Sequence, residues 1–434
     1  MSAKSKLVGA ANNAYLSSRP AKYALYDFGR LLRGGRRHAR LYYRADDPYS
    51  HLLVQAALRL ANAYPLEIEI VPVAHPSIAA NPAPDMLQQH AIRDAALLAE
   101  SYGLSFPTVA EAPPEDRARR AHAVLLQRRP AEEQLKVAAE IGEAVWRGAG
   151  PALASIVDRH GSVSGEEVRP ALEANYAALE RAGHYQPGML SYGGEWYWGI
   201  DRLSYLEERL RREGLEGSVD FTRGPSSRLA SLIGDADGRK PGIEVFISFR
   251  SPYSYVSIPQ LIDLRDRYGV DVRLRPVLPM VMRGLPVPRA KRLYIARDAK
   301  READRLGIPF GHVCDPLGKG IGYCMAAFFN CAVEKGLELE FTHSAMQGIW
   351  SEARDVAHLP DLVFLAERAG ISGAELRAAI EDPGWKEMGK ANREALTDLG
   401  FWGVPSIRIG SYSAWGQDRI PFVKAEIARV SEPA

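Results

Sequence analysis

The chain repeats itself, and the repeat limits what it can fold into. At one constant offset Pro48-Tyr49-Ser50 falls on Pro252-Tyr253-Ser254, Arg93-Asp94-Ala95 on Arg297-Asp298-Ala299, and Gly103-Leu104 on Gly307-Ile308. After a change in insert length, Trp198-Gly199-Ile200-Asp201-Arg202 echoes Trp415-Gly416-Gln417-Asp418-Arg419. Matches kept in one order and register identify a tandem duplication, so each half is expected to build the same unit.

The second half reads most clearly. Residues 243–249 form an apolar run with β-branched members, the pattern of a buried strand. It stops at Ser251-Pro252, and Pro252 suits the first position of a helix because it has no N–H to leave unpaired. Ser251 then occupies the N-cap slot, beside unpaired backbone N–H groups and the positive end of a helix dipole. Such a hydroxyl either holds an anion or a thiolate, or is simply a cap; these residues leave both open. Residues 271–278 supply a second strand, and helical patterns follow at 289–306, 320–335, 341–353, 361–368, 373–380 and 385–399. A hairpin of 405–409 with 412–415 turns at Gly410-Ser411, and a helix over 421–430 closes the unit. The first half offers strand 39–43, a helix from Asp47-Pro48 to about Ala63, strand 66–73, and a closing helix over 203–212. A β-α-β unit, a helical insert and a β-β-α unit make a thioredoxin-like order. The expected fold is therefore α/β: two tandem thioredoxin-like domains, each with an inserted α-helical subdomain. Residues 1–35 are expected to form a helical arm packed on a domain or on a second subunit. Residues 36–213 and 243–434 are the two domains, and 214–242 the linker, rich in Gly, Ser, Asp and Arg.

Composition narrows the class. Of 434 residues, 46% are hydrophobic and 25% charged, the balance of an ordinary soluble globular protein. A formal net charge of +2 gives no general electrostatic case for nucleic acid or an anionic membrane as partner. No apolar run approaches the roughly 20 residues that span a bilayer, and no signal peptide is evident, so a cytoplasmic location is expected. Cys314, Cys324 and Cys331 have neither C-x-x-C nor zinc spacing, and His312 beside Cys314 lacks further ligands; no metal is expected. Residues 116–129, dense in arginine, read as a solvated helix face.

Two further features belong beside Ser251. The first is Gly403-Val404-Pro405 at the entry to the hairpin. If the Val404–Pro405 bond is cis, the Val404 N–H and C=O turn outward and can pair with an extended peptide-like ligand; an ordinary trans proline at a strand start is the commoner case. The second is Gln417-Asp418 at the start of the last helix. There, helix N–H groups can take a carboxylate and the Asp418 side chain an ammonium; simple compensation of the helix dipole is the alternative. Met280 and Met282, followed by Leu285, line either a hydrophobic pocket or ordinary core.

Residues 246–254 (F-I-S-F-R-S-P-Y-S), 288–294 (P-R-A-K-R-L-Y), 403–405 (G-V-P) and 415–419 (W-G-Q-D-R) together span nearly all of the second half. In this order they resemble the 2-hydroxychromene-2-carboxylate isomerases and kappa-class glutathione transferases, in the DsbA-like branch of the thioredoxin superfamily. The resemblance implies a DsbA-like domain, glutathione as cofactor and a homodimer as the usual state. It places Ser251 as the catalytic serine facing the glutathione sulfur, and Val404 against the cysteinyl backbone with Pro405 as the cis proline. It puts Gln417 and Asp418 at the γ-glutamyl end and Lys291 near the glycyl carboxylate. Met282-Arg283-Gly284 stands where the family has an Asn-containing segment.

A hydroxyl donated to sulfur favours the thiolate, as do helix N-terminal dipoles. Such a thiolate can add to an unsaturated carbonyl compound, allow rotation and leave again, or attack an electrophile. Ser251 and Ser254 stand where redox members carry cysteines, which excludes disulfide exchange through this motif. In the first half Asp47 takes the place of Ser251, Gln186-Pro187 that of Val404-Pro405, Ile200 that of Gln417 and Leu87 that of Lys291. A carboxylate there opposes a thiolate, so the first domain is expected to be a degenerate structural copy that makes the monomer a pseudo-dimer. The expected activity is a glutathione-dependent isomerase or transferase acting on a small hydrophobic unsaturated or aromatic acid. The alternative is a non-catalytic scaffold that has lost glutathione.

Overall fold

A computed structural model describes residues 3–32, 35, 37–221 and 242–431. Residues 222–241, most of the expected linker, lie outside that set. The described chain forms two compact units: residues 3–18, 242–287 and 295–431 make one, and the remainder up to 221 together with 288–294 make the other.

The two units are built to one plan. In the first, β1 (His38–Tyr43) pairs in parallel with β2 (Glu67–Pro72) and antiparallel with β3 (Met189–Tyr192), which pairs with β4 (Glu195–Trp198). The second repeats this with β5 (Gly242–Ile247), β6 (Asp271–Pro276), β7 (Ser406–Ile409) and β8 (Tyr412–Trp415). The strand orders are β2-β1-β3-β4 and β6-β5-β7-β8, so both halves are mixed four-stranded α/β sheets of thioredoxin type. Pro72 and Pro276 end the edge strands β2 and β6, where a missing N–H breaks no inner ladder.

The repeated motifs have a shared structural task. Helix Pro48–Ala63 follows β1 and helix Pro252–Tyr268 follows β5, each entered through proline. The motif tyrosine then donates to the motif aspartate: Tyr49 to Asp94 and Tyr253 to Asp298, both at 2.8 Å. Each bond ties the crossover helix to the first helix of the insert, Pro84–Tyr102 or Arg289–Arg305. Asp94 and Asp298 are buried, which makes the phenolic donor worth keeping in both copies.

Alternation along β5 divides its side chains between two cores. Val245 and Ile247 join the main core with Tyr255, Ile258, Ile321 and Phe341. Phe246 faces the other way, into a smaller cluster with Val277, Leu396 and Phe401, against which Val404 and Trp415 pack. That second cluster is the floor under the entry to β7.

Two expectations change. The helical arm is two helices, Ala3–Leu16 and Arg19–Leu32, divided just before Pro20, whose ring cannot continue the preceding hydrogen-bond ladder. Leu16 sits in the core of the second-half unit, while residues from Arg19 onward belong with the first. The expected helix over 320–335 contains a π-helical turn, Phe328–Ala332, between Lys319–Ala327 and Val333–Lys335. Among the described residues no helix is long and apolar enough to cross a membrane.

Candidate functional site

Ser251 caps helix Pro252–Tyr268 in extended conformation (φ −98°, ψ 114°), its Oγ accepting the Ser254 N–H at 3.1 Å. The same hydroxyl donates to the Val404 carbonyl at 3.3 Å, which brings the N-cap to the entry of β7. The Val404–Pro405 peptide is cis. Among the described residues the Val404 N–H has no backbone partner.

The loop carrying Val404 is held from several sides. Arg283 donates to the Trp402 carbonyl at 2.9 Å, Ser406 Oγ to the Gly403 carbonyl at 3.0 Å, and the Gly416 N–H to the Pro405 carbonyl at 2.9 Å. Gly403 is required by space, because a Cβ there would run into the Trp415 ring. Burial, with Arg393 adding to it, lowers the Arg283 pKa to about 10. Sequence reasoning gave Arg283 no role, and nothing local marks it; its partner lies far along the chain.

Next to Ser251, Arg250 makes a two-pronged ion pair with Asp315 at 2.7 and 2.8 Å, which ties the cap to a loop of the helical insert. Ser254 is buried and its Oγ accepts the Ser248 N–H at 3.4 Å, so it braces the strand end rather than facing outward.

The Gln417–Arg419 turn precedes helix Ile420–Ser431. Gln417 is only 2% exposed, and its amide donates to Glu302 at 2.9 Å and to Asp418. It therefore orients Asp418, which is half-buried, instead of presenting its own side chain as the resemblance implies. Glu302 is itself buried and receives Arg305 at 3.0 Å.

Residues 288–294 belong with the first-half unit, where the Lys291 ammonium donates to the Ala80 carbonyl at 3.0 Å and sits 5.8 Å from the Tyr185 ring centre. Burial lowers its pKa to about 8. The second-half unit thus brings together Ser251, Val404, Pro405, Gln417 and Asp418, whereas Lys291 is counted with the first-half unit.

The first-half counterpart has the same frame with different chemistry. Asp47 caps helix Pro48–Ala63 at φ −99° and ψ 117°, accepting the Ser50 N–H at 2.8 Å and its hydroxyl at 2.6 Å. Burial, reinforced by Asp46, pushes its pKa up to about 6 despite the Ser50 hydrogen bonds. Gly188, at φ +66°, lies so close that a Cβ there would stand 3.1 Å from the Asp47 carboxylate. Behind it Arg44 is buried, donating to Asp46 at 2.7 Å and to the Val73 carbonyl at 3.1 Å. Among the described residues the cis peptide is that of Val404–Pro405, so Gln186–Pro187 is trans.

Comparison with known proteins places the second half. A family model described as a DSBA-like thioredoxin domain matches residues 242–428. Human glutathione S-transferase kappa 1 is 27% identical over 179 residues, covering 38% of this chain and 78% of its own. The 2-hydroxychromene-2-carboxylate isomerase of Pseudomonas putida is 23% identical over 198 residues, covering 43% of this chain and 95% of its own. A solved structure of a 2-hydroxychromene-2-carboxylate isomerase superposes with a TM-score of 0.37 at 19% identity, over 44% of this chain and 95% of that one. The second half of this protein thus matches a DsbA-like thioredoxin domain and is similar in sequence to a kappa glutathione transferase and a 2-hydroxychromene-2-carboxylate isomerase.

Proposed function

We propose that the second-half domain binds glutathione and uses it to isomerise, or to conjugate, a hydrophobic unsaturated or aromatic acid. The observation that carries this reading is the meeting of the Ser251 hydroxyl with the Val404 peptide at a helix N-terminus, at 3.3 Å. The residues fit a small peptide thiol at one end. The Val404 N–H and C=O suit the cysteinyl backbone, and the Asp418 carboxylate suits the γ-glutamyl ammonium. At the glycyl end Lys291 is committed to Ala80, so it is left out of the proposed site.

Bound glutathione supplies a thiolate that adds reversibly to an unsaturated carbonyl compound or attacks an electrophile. Ser251 turns its hydroxyl from the Val404 carbonyl to the sulfur and stabilises negative charge there, helped by the first-turn N–H groups of its helix. Gln417 holds Asp418 in place through its amide, and Glu302 fixes Gln417 in turn.

Thermal denaturation of the full chain with and without glutathione tests the binding step. A ligand that binds only the folded state raises the midpoint by mass action. Asp418→Ala is expected to lower the affinity about tenfold or more and remove most of that rise. No rise in the unaltered protein would favour a scaffold that does not use glutathione.

A further inference from the structure

Resting on the reading that the second-half domain binds glutathione and an acid, we propose that Arg283, with Arg393 beside it, receives a ligand carboxylate there. Arg283 closes the short turn Met280–Arg283 after β6, and Gly284 ends that turn at φ +75°. Its Nη2 donates to the Trp402 carbonyl at 2.9 Å, just ahead of the Val404 peptide that takes the Ser251 hydroxyl. Its Nε is buried and has no partner among the described residues, and Nη1 makes no hydrogen bond among them either. No carboxylate among the described residues pairs with this guanidinium. The charged group that acts on it is Arg393, of the same sign.

Other half-buried arginines of the same unit are matched. Arg250 pairs with Asp315, Arg275 with Glu244 and Arg354 with Asp361, at 2.7, 2.6 and 3.0 Å. Desolvation penalises a charge taken out of water, so such groups are ordinarily paired, and an unmatched guanidinium suits an anion brought by another molecule. Burial and the like charge of Arg393 lower the Arg283 pKa only to about 10, which leaves it a cation at neutral pH. Arg393 itself is exposed on helix Trp385–Asp398, with no ion pair among the described residues.

Connectivity says which end of a ligand arrives there. Trp402 and Pro405 lie on either side of Val404 along the chain. Arg283 takes the Trp402 carbonyl, whereas the Pro405 carbonyl takes the Gly416 N–H, next to the turn that carries Asp418. A peptide paired with Val404 that gives its ammonium to Asp418 therefore has its far end on the Arg283 side, and one extended residue spans about 3.5 Å. The planar guanidinium fork matches a carboxylate better than a point charge does. Two carboxylates suit it: the glycyl group of glutathione and that of the acid substrate.

Calorimetry on the full chain decides the matter, with glutathione set against its glycyl amide and cinnamate against cinnamamide. In the unaltered protein, exchanging carboxylate for amide is expected to weaken binding about tenfold or more in at least one pair. Arg283→Gln should cut that preference to below about threefold, and Arg393→Gln should reduce it by about twofold. A preference in the glutathione pair assigns the glycyl carboxylate; one in the cinnamate pair assigns the acid substrate. Glutathione that fails to bind while cinnamate shows the Arg283-dependent preference keeps the subsite and sinks the glutathione reading. No preference in either pair, or one that Arg283→Gln leaves intact, overturns the proposal; if glutathione still binds, the proposed function survives. Should Arg283→Gln not fold, a preference unchanged in Arg393→Gln, altered only at an exposed side chain, overturns it as well.

Discussion

Ser251 and Asp47 cap their helices with backbone angles a few degrees apart, and each accepts the N–H of the serine three residues on. The frames match; what surrounds them does not. Above Ser251 lies Val404, whose carbonyl takes the hydroxyl and whose N–H has no backbone partner among the described residues. Above Asp47 lies the Gly188 backbone, where an added Cβ would stand 3.1 Å from a carboxyl group whose pKa is raised. At one helix N-terminus the capping group is a hydroxyl that also reaches a neighbouring carbonyl. At the other the capping group is a carboxyl that takes both the N–H and the hydroxyl of Ser50. The two halves share one scaffold and differ at a few positions around each cap.

The sharpest way to break this contrast is to exchange the caps. Ser251→Ala is expected to lower glutathione conjugation of chlorodinitrobenzene about a hundredfold or more, the cost of losing one donor to a developing anion. The rise in melting temperature with glutathione should persist, and the thiolate absorbance of the bound cofactor should appear only at higher pH. Adding Asp47→Ser to that variant should restore nothing, because Gln186–Pro187 lacks the cis peptide of Val404–Pro405 and Ile200 stands in the Gln417 position. Recovered turnover would show that the two mouths differ in one residue alone.

A smaller effect reads the Asp47 carboxyl directly. Its pKa stands at about 6 in the folded protein against an ordinary 3.8. The proton is therefore held more tightly by the folded state: its stabilisation is complete below about pH 4 and is lost as pH rises through 6. Asn caps as well as Asp and carries no charge. Asp47→Asn is thus expected to match the unaltered protein near pH 4 and to exceed it at pH 8 by about 1–2 kcal/mol, allowing for partial solvent screening. Urea titrations at the two pH values measure the difference. A variant that loses stability at pH 8 would mean that the charged form is the favoured one.

How far the sequence foretells this arrangement depends on the range of the interaction. Strand β5, its proline-led helix and the hairpin turning at Gly410 follow from local rules: β-branched runs, a proline without an N–H, and a glycine at φ 53°. The repeat adds long-range information, since Tyr49–Asp94 and Tyr253–Asp298 are the same contact made twice. The direction in which a side chain points is a different matter. Gln417 falls in the expected position yet faces inward, because Glu302, over a hundred positions away, is buried and needs a donor. Residues 288–294 read as the opening of a second-half helix, and they are; their packing with the first-half unit depends on aromatic surfaces that no local pattern links to them.

Lys291 provides the finest test, since Leu87 stands at its place in the first half and the resemblance would make that difference functional. The ammonium is bound to Ala80 and buried, so removing it loses one charge-assisted hydrogen bond and relieves the desolvation of a cation. These oppose each other, and Lys291→Met is expected to change stability by less than about 1 kcal/mol at neutral pH. The sign varies with pH. A lysine pKa depressed to about 8 from 10.5 means that the neutral form stabilises the fold, fully above 10.5 and no longer once pH has fallen through 8. The methionine variant should therefore gain on the unaltered protein as pH drops from about 10 to 7. Glutathione affinity, measured by calorimetry at pH 7, should stay within about twofold, because the ammonium is engaged by the Ala80 carbonyl. A tenfold loss would place Lys291 at the ligand after all, and the separation drawn between an active and a structural half would then be wrong at this residue.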